Sequence, residues 1–93
     1  MARYVCLLRF SPQGVRNIKQ SPTRAAIFRK ATEKSGVKVE VLLWTAGAHD
    51  GILILNGDEK KVLGAITRLA ALGHVHPQSM PAFDAMEFAA IVR

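Results

Sequence analysis

The short segment Gly47–Gly51 separates two strongly apolar stretches and divides this chain into two halves. The stretch before it, Val37–Thr45, and the stretch after it, Ile52–Leu55, have the length and the aliphatic, β-branched composition of strands. A helix-like segment adjoins each of these strands on its far side. The sequence therefore predicts two strand-and-helix halves that meet at a strand-to-strand turn.

The two main helices carry recognisable start and stop signals. Ser21 predicts the N-cap of the first helix, Pro22 suits its first turn, and the helix is expected to run to about Ser35 and stop at Gly36. Its inward face is predicted from helical spacing to contain Ala25, Phe28, Ala31 and Thr32. The second helix starts at Asp58-Glu59, where its dipole favours carboxylates, and closes at Gly73. Its predicted buried stripe contains Val62, Leu63, Ile66, Leu69 and Ala70.

The first and last strands along the chain and a terminal helix complete the predicted pattern. Arg3–Phe10 predicts the first strand, and His74–Phe83 predicts the fourth. Pro77 and Pro81 each lack a backbone donor, so the fourth strand should lie at an edge of the sheet or be irregular. Asp84 is expected to cap a short C-terminal helix, Ala85–Ile91, with Met86 or Phe88 packing back on the domain.

The resulting order, β-α-β-β-α-β followed by a short helix, is the ferredoxin-like order. It predicts a single α+β domain over residues 1–93, with a four-stranded antiparallel sheet and both main helices on one of its faces. Ninety-three residues form a modest core, so association with further chains is a plausible source of stability.

The strands are apolar on both faces, which one layer of helices cannot cover. The first strand places Val5 and Leu7 opposite a second apolar set: Tyr4, Cys6, Leu8 and Phe10. The third strand alternates Ile52 and Ile54 with Leu53 and Leu55, and the second is expected to place Leu42 and Trp44 opposite Val39, Val41 and Leu43. A monomer would expose a large apolar patch. We therefore predict a homodimer, or a higher even oligomer, that packs sheet on sheet.

The net charge of +6 is concentrated in one stretch of the chain. Between Arg9 and Lys38, Glu33 is the only acidic residue among eight basic ones: Arg9, Arg16, Lys19, Arg24, Arg29, Lys30, Lys34 and Lys38. This stretch could face an anionic partner. A solvated helix face is the favoured reading, because no aromatic stacking platform, zinc-finger spacing or helix-turn-helix pattern accompanies it. Nucleic acid is therefore not expected as a partner.

The cysteine content and the hydropathy pattern indicate a compartment. Cys6 is the single cysteine, so no internal disulfide can form. The start of the chain lacks a signal-peptide pattern, and no apolar run approaches the roughly 20 residues that span a bilayer. We expect a cytoplasmic protein with no membrane partner.

Several short motifs resemble those of a known family over nearly the whole chain. They are Tyr4, Gln13-Gly14, Asn17–Pro22 followed by Arg24, Gly47–Asp50, Asp58-Glu59, Gly73–Val75 and Ala82-Phe83. Through these motifs the chain resembles the GYD-domain family, which consists of small proteins of the dimeric α/β-barrel type. The resemblance implies the same fold, a sheet-to-sheet dimer and an uncharacterised function, and it supplies no catalytic residues.

The chain departs from the family pattern at two histidines. His49 stands where the family's Gly-x-Tyr-Asp motif has tyrosine. His76-Pro77 stands where the family usually has a basic and a hydroxyl residue. If these positions line a pocket, the chemistry of that pocket differs here.

Each candidate site residue has both a functional and a purely structural interpretation. His49 could bind a ligand or act as a general base near neutral pH, whereas Asp50 more simply bonds backbone N–H groups of its turn. His74 and His76, two residues apart in a strand, would share a face and could chelate a transition metal, with His49 or Asp50 completing the site, although the spacing identifies no third ligand. Cys6 is expected to be an inert core thiol.

The favoured function is the binding of a small molecule or another protein in a pocket between sheet and helices. Tyr4, Trp44, His49, Asp50 and His76 are the ligand-binding candidates. No cofactor is predicted, because the sequence has no glycine-rich phosphate loop or comparable motif. The alternative is a small cofactor-free oxygenase- or isomerase-like enzyme of the dimeric α/β-barrel type, which rests on fold analogy.

Overall fold

The computed structural model describes all residues from Met1 to Arg93. The strands are β1 (Ala2–Phe10), β2 (Lys38–Trp44), β3 (Gly51–Gly57) and β4 (Val75–Pro81). The helices are α1 (Pro12–Arg16), α2 (Ser21–Lys34), α3 (Glu59–Ala71) and α4 (Ala85–Ile91), with a 3-10 turn at Ile18–Gln20. None of the helices combines the length and the apolar composition needed to cross a membrane.

The four strands form one antiparallel sheet in the order β2-β3-β1-β4. Along the chain, α2 connects β1 to β2 and α3 connects β3 to β4. This connectivity and the strand order confirm the predicted α+β ferredoxin-like fold. β4 lies at an edge, as Pro77 and Pro81 predicted, because an edge strand can leave a backbone donor position empty.

The core lies between one face of the sheet and the helices α2 and α3. Leu53 and Leu55 of β3 are fully buried there, as are Val62 and Ala65 of α3. The full core cluster consists of Cys6, Leu8, Val37, Val39, Leu53, Leu55, Val62, Ala65 and Ile66. Each buried Leu or Val side chain stabilises the fold by about 2 kcal/mol relative to exposure, so this layer holds α3 in place.

A bulge in β2 changes which side chains face the helices. Val39 pairs with Leu55, whereas Val41 pairs with Ile54, so Glu40 is an extra residue between them. Directly opposed residues share a face, so Val39 lies on the helix-facing side together with Leu42 and Trp44. The predicted placement of Val39 with Val41 and Leu43 is therefore wrong.

The helix faces that pack on the sheet differ from those that the spacing predicted. In α2, Thr32 is buried and Ala25 and Phe28 are half-buried, but Ala31 is exposed. In α3, Leu63 and Ala70 are exposed, while Ala65 is fully buried. Successive positions are about 100° apart around a helix, so side chains at the margin of the apolar stripe fall outside the contact with the sheet.

The start of α2 also differs from the prediction. The 3-10 turn runs directly into α2, so Ser21 is the first helical residue and Gln20 is the N-cap, without a side-chain capping bond. The Ser21 hydroxyl instead accepts a hydrogen bond from Nε1 of Trp44 at 3.0 Å. The residue chosen as a cap therefore joins the helix to β2.

The C-terminal helix α4 does not pack on the core. Met86 is 85% exposed and Phe88 is also exposed, so the expected packing of these residues is wrong. The layer formed by α2 and α3 already covers the core, and α4 is held instead by an ion pair between Arg3 and Glu87 at 3.0 Å. An apolar helix thus lies beside the sheet without a partner.

Candidate functional site

A cavity of about 80 Å³ lies between the helix-facing side of the sheet and the helices α2 and α3. Eleven of its sixteen lining residues are hydrophobic, among them Phe28, Leu42 and Leu53. The polar side chains on its wall are Ser21, Arg24, Asp50 and His74. Hydrogen bonds with other parts of the chain position these residues.

Trp44 forms the part of the wall where β2 ends. Its indole Nε1–H donates to Ser21 Oγ across the gap between strand and helix, and the side chain is 48% exposed. A tryptophan that is apolar over one part and hydrogen-bonded at its ring nitrogen suits the edge of a cavity. Trp44 thus lines a cavity between the sheet and the helices, where the sequence predicted it as a ligand-binding candidate.

Asp50 is fixed by three hydrogen bonds at the turn between β2 and β3. Its backbone N–H donates to Leu8 O at 2.8 Å, and its carbonyl accepts from Thr45 N–H at 2.9 Å. Its carboxylate Oδ2 accepts from Phe10 N–H at 2.9 Å. The carboxylate therefore accepts from a backbone donor, but this donor belongs to β1, whereas the structural alternative had expected a donor in the turn itself. The second oxygen, Oδ1, makes no hydrogen bond within the chain.

Arg24 supplies the positive charge on the wall. Its Nη1 donates to Asn17 O at 3.0 Å, which holds the guanidinium over the start of α2. The ion pairs of the chain are Arg3–Glu40, Arg3–Glu87 and Arg29–Glu33, so neither Arg24 nor Asp50 takes part in one. Two opposite charges without ion-pair partners therefore line one small cavity.

His74 is placed by close packing of α1 against the turn before β4. Its carbonyl accepts from Ser11 N–H at 3.0 Å, and Gly14 lies directly against the same carbonyl. The ring Nδ1 is buried without a hydrogen-bond partner, while Nε2 lies 3.5 Å from Gln13 Nε2. An unpaired buried polar atom costs about 1–3 kcal/mol, and such atoms are uncommon in folded proteins.

The two neighbouring histidines of the proposed metal pair are separated by the sheet. His76 pairs with Arg9, whose position alternates with the buried Leu8, so His76 lies on the face away from the helices. His74 precedes β4 and lines the cavity on the helix-facing side. The expected shared face does not occur, because the strand starts only at Val75. No group of three or more His, Cys, Asp or Glu side chains has an arrangement that could hold a metal ion.

The remaining candidates lie away from the cavity. The Tyr4 hydroxyl donates to Glu59 Oε2 at 3.2 Å near the start of α3, and desolvation together with the Glu59 charge raises the pKa of Tyr4. His49 lies in the β2–β3 loop beside an open depression lined by Leu7 and Ile52. The structure thus brings Trp44 and Asp50 to the cavity and places Tyr4, His49 and His76 elsewhere.

Sequence reasoning assigned no site role to Arg24 or Ser21 and treated His74 only as a metal ligand. A signal was present, because Arg24 belongs to the Lys-x-Ser-Pro-x-Arg stretch and His74 to the Gly-His-Val stretch. These two motifs are far apart in sequence, and only the tertiary fold brings them to one cavity.

Comparison with known proteins supports the same architecture. A solved homoserine dehydrogenase from Thiobacillus denitrificans is similar to this chain with a TM-score of 0.57 and 22% sequence identity, over 89% of this chain. This chain spans only 17% of the length of that one, and at such identity the likeness supports the fold alone. No curated protein matches the chain.

One family model matches almost the full length of the chain. The family model of the GYD domain matches residues 4–92. The match extends from the first strand to the end of the C-terminal helix, so it includes both motifs that reach the cavity. The chain therefore belongs to the GYD domain family.

Proposed function

We propose that this protein binds a small molecule in the cavity between the sheet, α2 and α3. The observation that carries the proposal is an apolar cavity with a few polar side chains on its wall, which is the usual composition of a small-molecule site. At about 80 Å³ the cavity is smaller than the roughly 300–1,000 Å³ of drug-sized pockets. The ligand is therefore small, or inserts only one end.

The side chains near the cavity favour binding over covalent chemistry. Ser21 Oγ is engaged by Trp44, and the Asp50 carboxylate by the Phe10 N–H. The thiol of Cys6 is fully buried in the core, and desolvation raises its pKa to about 11, so it is protonated at neutral pH. None of these groups has the activated state that a nucleophile needs.

We further propose that a second copy of the chain covers the face of the sheet that the helices leave open. This open face carries seven apolar side chains: Val5, Leu7, Val41, Leu43, Ile52, Ile54 and Met80. The exposed apolar residues of α4 adjoin it, because Glu87 of α4 binds Arg3 on the same face. An apolar surface of this extent favours a two-fold, sheet-on-sheet homodimer.

Fluorescence of Trp44 provides the test of ligand binding. Trp44 is the single tryptophan of the chain and lines the cavity, so an occupant should change its emission. We expect a saturable change when fractions of a small-molecule extract from the native host are added. The matched control is Ala25→Leu, which places three further carbon atoms in the cavity and should abolish the response.

Two results would contradict the proposal. The first is that no fraction of the extract produces a saturable change in the wild-type protein. The second is that the Ala25→Leu variant responds with the same affinity as the wild type. The second result would place the ligand outside the cavity.

A further inference from the structure

We infer that the ligand of the cavity is a zwitterion with a short aliphatic tail, that is, a small aliphatic α-amino acid. This inference rests on the proposed function and adds the chemical class of the ligand to it. It is carried by the charges on the cavity wall and by the size of the apolar space.

The charges on the wall suit a ligand that bears both signs. Arg24 and Asp50 line the same cavity, and neither forms a salt bridge. Both side chains are half-buried, so each charge remains available to a ligand that enters the cavity. An anion would match Arg24 and leave an additional negative charge near Asp50, whereas a cation would do the reverse. A zwitterion matches both.

Each charged group also has free hydrogen-bonding capacity. Arg24 uses Nη1 for Asn17 O, while Nε and Nη2 make no hydrogen bond within the chain. A guanidinium edge of this kind suits a carboxylate. Asp50 uses Oδ2 for Phe10 N–H, while Oδ1 is free to accept from an ammonium group. The ligand carboxylate is thus assigned to Arg24 and the ligand ammonium to Asp50.

The apolar space limits the side chain of the ligand. The cavity of about 80 Å³ is well below the roughly 300–1,000 Å³ of drug-sized pockets, so the part of the ligand that enters it is short. Phe28, Leu42 and Leu53 offer only apolar contact to that part. An isopropyl group, the side chain of valine, fits this description, whereas a polar tail would lose its hydrogen bonds to water.

The test compares L-valine with analogues that each lack one part, using Trp44 fluorescence of the full chain. Isovalerate lacks the ammonium group, isobutylamine lacks the carboxylate, and glycine lacks the tail. We expect valine to bind at least 10-fold more tightly than each of the three. Arg24→Gln should remove the advantage of valine over isobutylamine. Lys30→Gln, which removes one charge from an exposed position of the same helix, should preserve it.

A second variant keeps the inference testable if Arg24→Gln fails to fold. Asp50→Asn retains an oxygen that can accept from Phe10 N–H but loses the charge, so the advantage of valine over isovalerate should disappear. Equal binding of valine and either single-charge analogue by the wild type would overturn the inference while leaving small-molecule binding in place. Absence of any response to these probes and to host extract would overturn both.

Discussion

Gly14 of α1 lies so close to the backbone carbonyl of His74 that a Cβ atom at residue 14 would overlap the carbonyl oxygen. The same carbonyl accepts a hydrogen bond from Ser11 N–H. Because His74 lines the cavity, this contact between α1 and the start of β4 fixes one part of the cavity wall. At Gly14 the contact is with the backbone of a distant segment, so an added group there cannot be absorbed by the movement of a flexible side chain alone.

We expect Gly14→Ala to lower the free energy of unfolding by about 1–2 kcal/mol. The overlap involves backbone, so the chain has to shift, and such overpacking costs about 1–3 kcal/mol. This cost outweighs the gain of up to about 1 kcal/mol that alanine brings to a helix. Urea unfolding monitored by circular dichroism measures the change.

Gly64→Ala is the matched control for that prediction. Gly64 is also helical, but a Cβ there would meet only the end of the Arg68 side chain at 3.5 Å. Without a collision, the better helix propensity of alanine should stabilise the protein by about 0.5–1 kcal/mol. Opposite signs for the two variants support the account, and a loss of similar size at both positions would contradict it.

Two aspartate caps should differ in their effect on global stability. Asp58 caps α3, which packs on the core, and Asp84 forms a capping box with Glu87 at α4, which does not. Asp58→Ala should therefore reduce the free energy of unfolding by about 1 kcal/mol. Asp84→Ala should mainly increase hydrogen exchange within α4 and change global unfolding much less. An equal loss of global stability in both variants would show that α4 is part of the cooperative unit.

The buried thiol of Cys6 should make stability fall at alkaline pH. Desolvation raises its pKa from the ordinary value of 9.0 to about 11 in the folded protein, so the folded state holds the proton more strongly than the unfolded state. This contribution is complete below pH 9 and is lost as pH rises toward 11. Between pH 8 and 10.5 the wild type should lose about 2 kcal/mol more than Cys6→Ala, as measured by urea unfolding. Parallel pH profiles for the two proteins would contradict the prediction.

The open face of the sheet should control the oligomeric state. Leu43 on this face is 58% exposed in the single chain, and Ile27 on α2 is 65% exposed. Leu43→Lys places a charge in the proposed sheet-on-sheet interface and should shift the protein to monomers, whereas Ile27→Lys should leave the dimer intact. Sedimentation equilibrium at micromolar concentration distinguishes the two. A wild-type monomer, or dissociation by Ile27→Lys alone, would contradict the proposed interface.

The architecture was predictable from the sequence because each of its signals is local. The edge position of β4 follows from Pro77 and Pro81, which lack backbone donors, and the start of α3 follows from the carboxylates of Asp58-Glu59. The bulge at Glu40 was not predictable, because a strand of nearly continuous apolar residues gives no sign of a break in alternation. That bulge determines which β2 side chains reach the helices.

The candidate site was predictable only in part. Trp44 and Asp50 belong to the strand end and the turn that do line the cavity, but Tyr4, His49 and His76 lie elsewhere. The side of the sheet on which a residue falls depends on where each strand starts and on its register, which local patterns leave undetermined. His76 illustrates this, since the start of β4 at Val75 sends it to the face opposite His74.

Native mass spectrometry of the protein purified from its host tests the central claim, that the cavity holds a small molecule, most directly. Before the measurement, the protein is incubated with host small-molecule extract, and Ala25→Leu is treated in the same way. We predict an even-numbered oligomer with an added small-molecule mass for the wild type, and the same oligomer without that mass for Ala25→Leu. A wild-type protein that carries no added mass after this incubation, or an Ala25→Leu variant that carries the same mass, would contradict the claim.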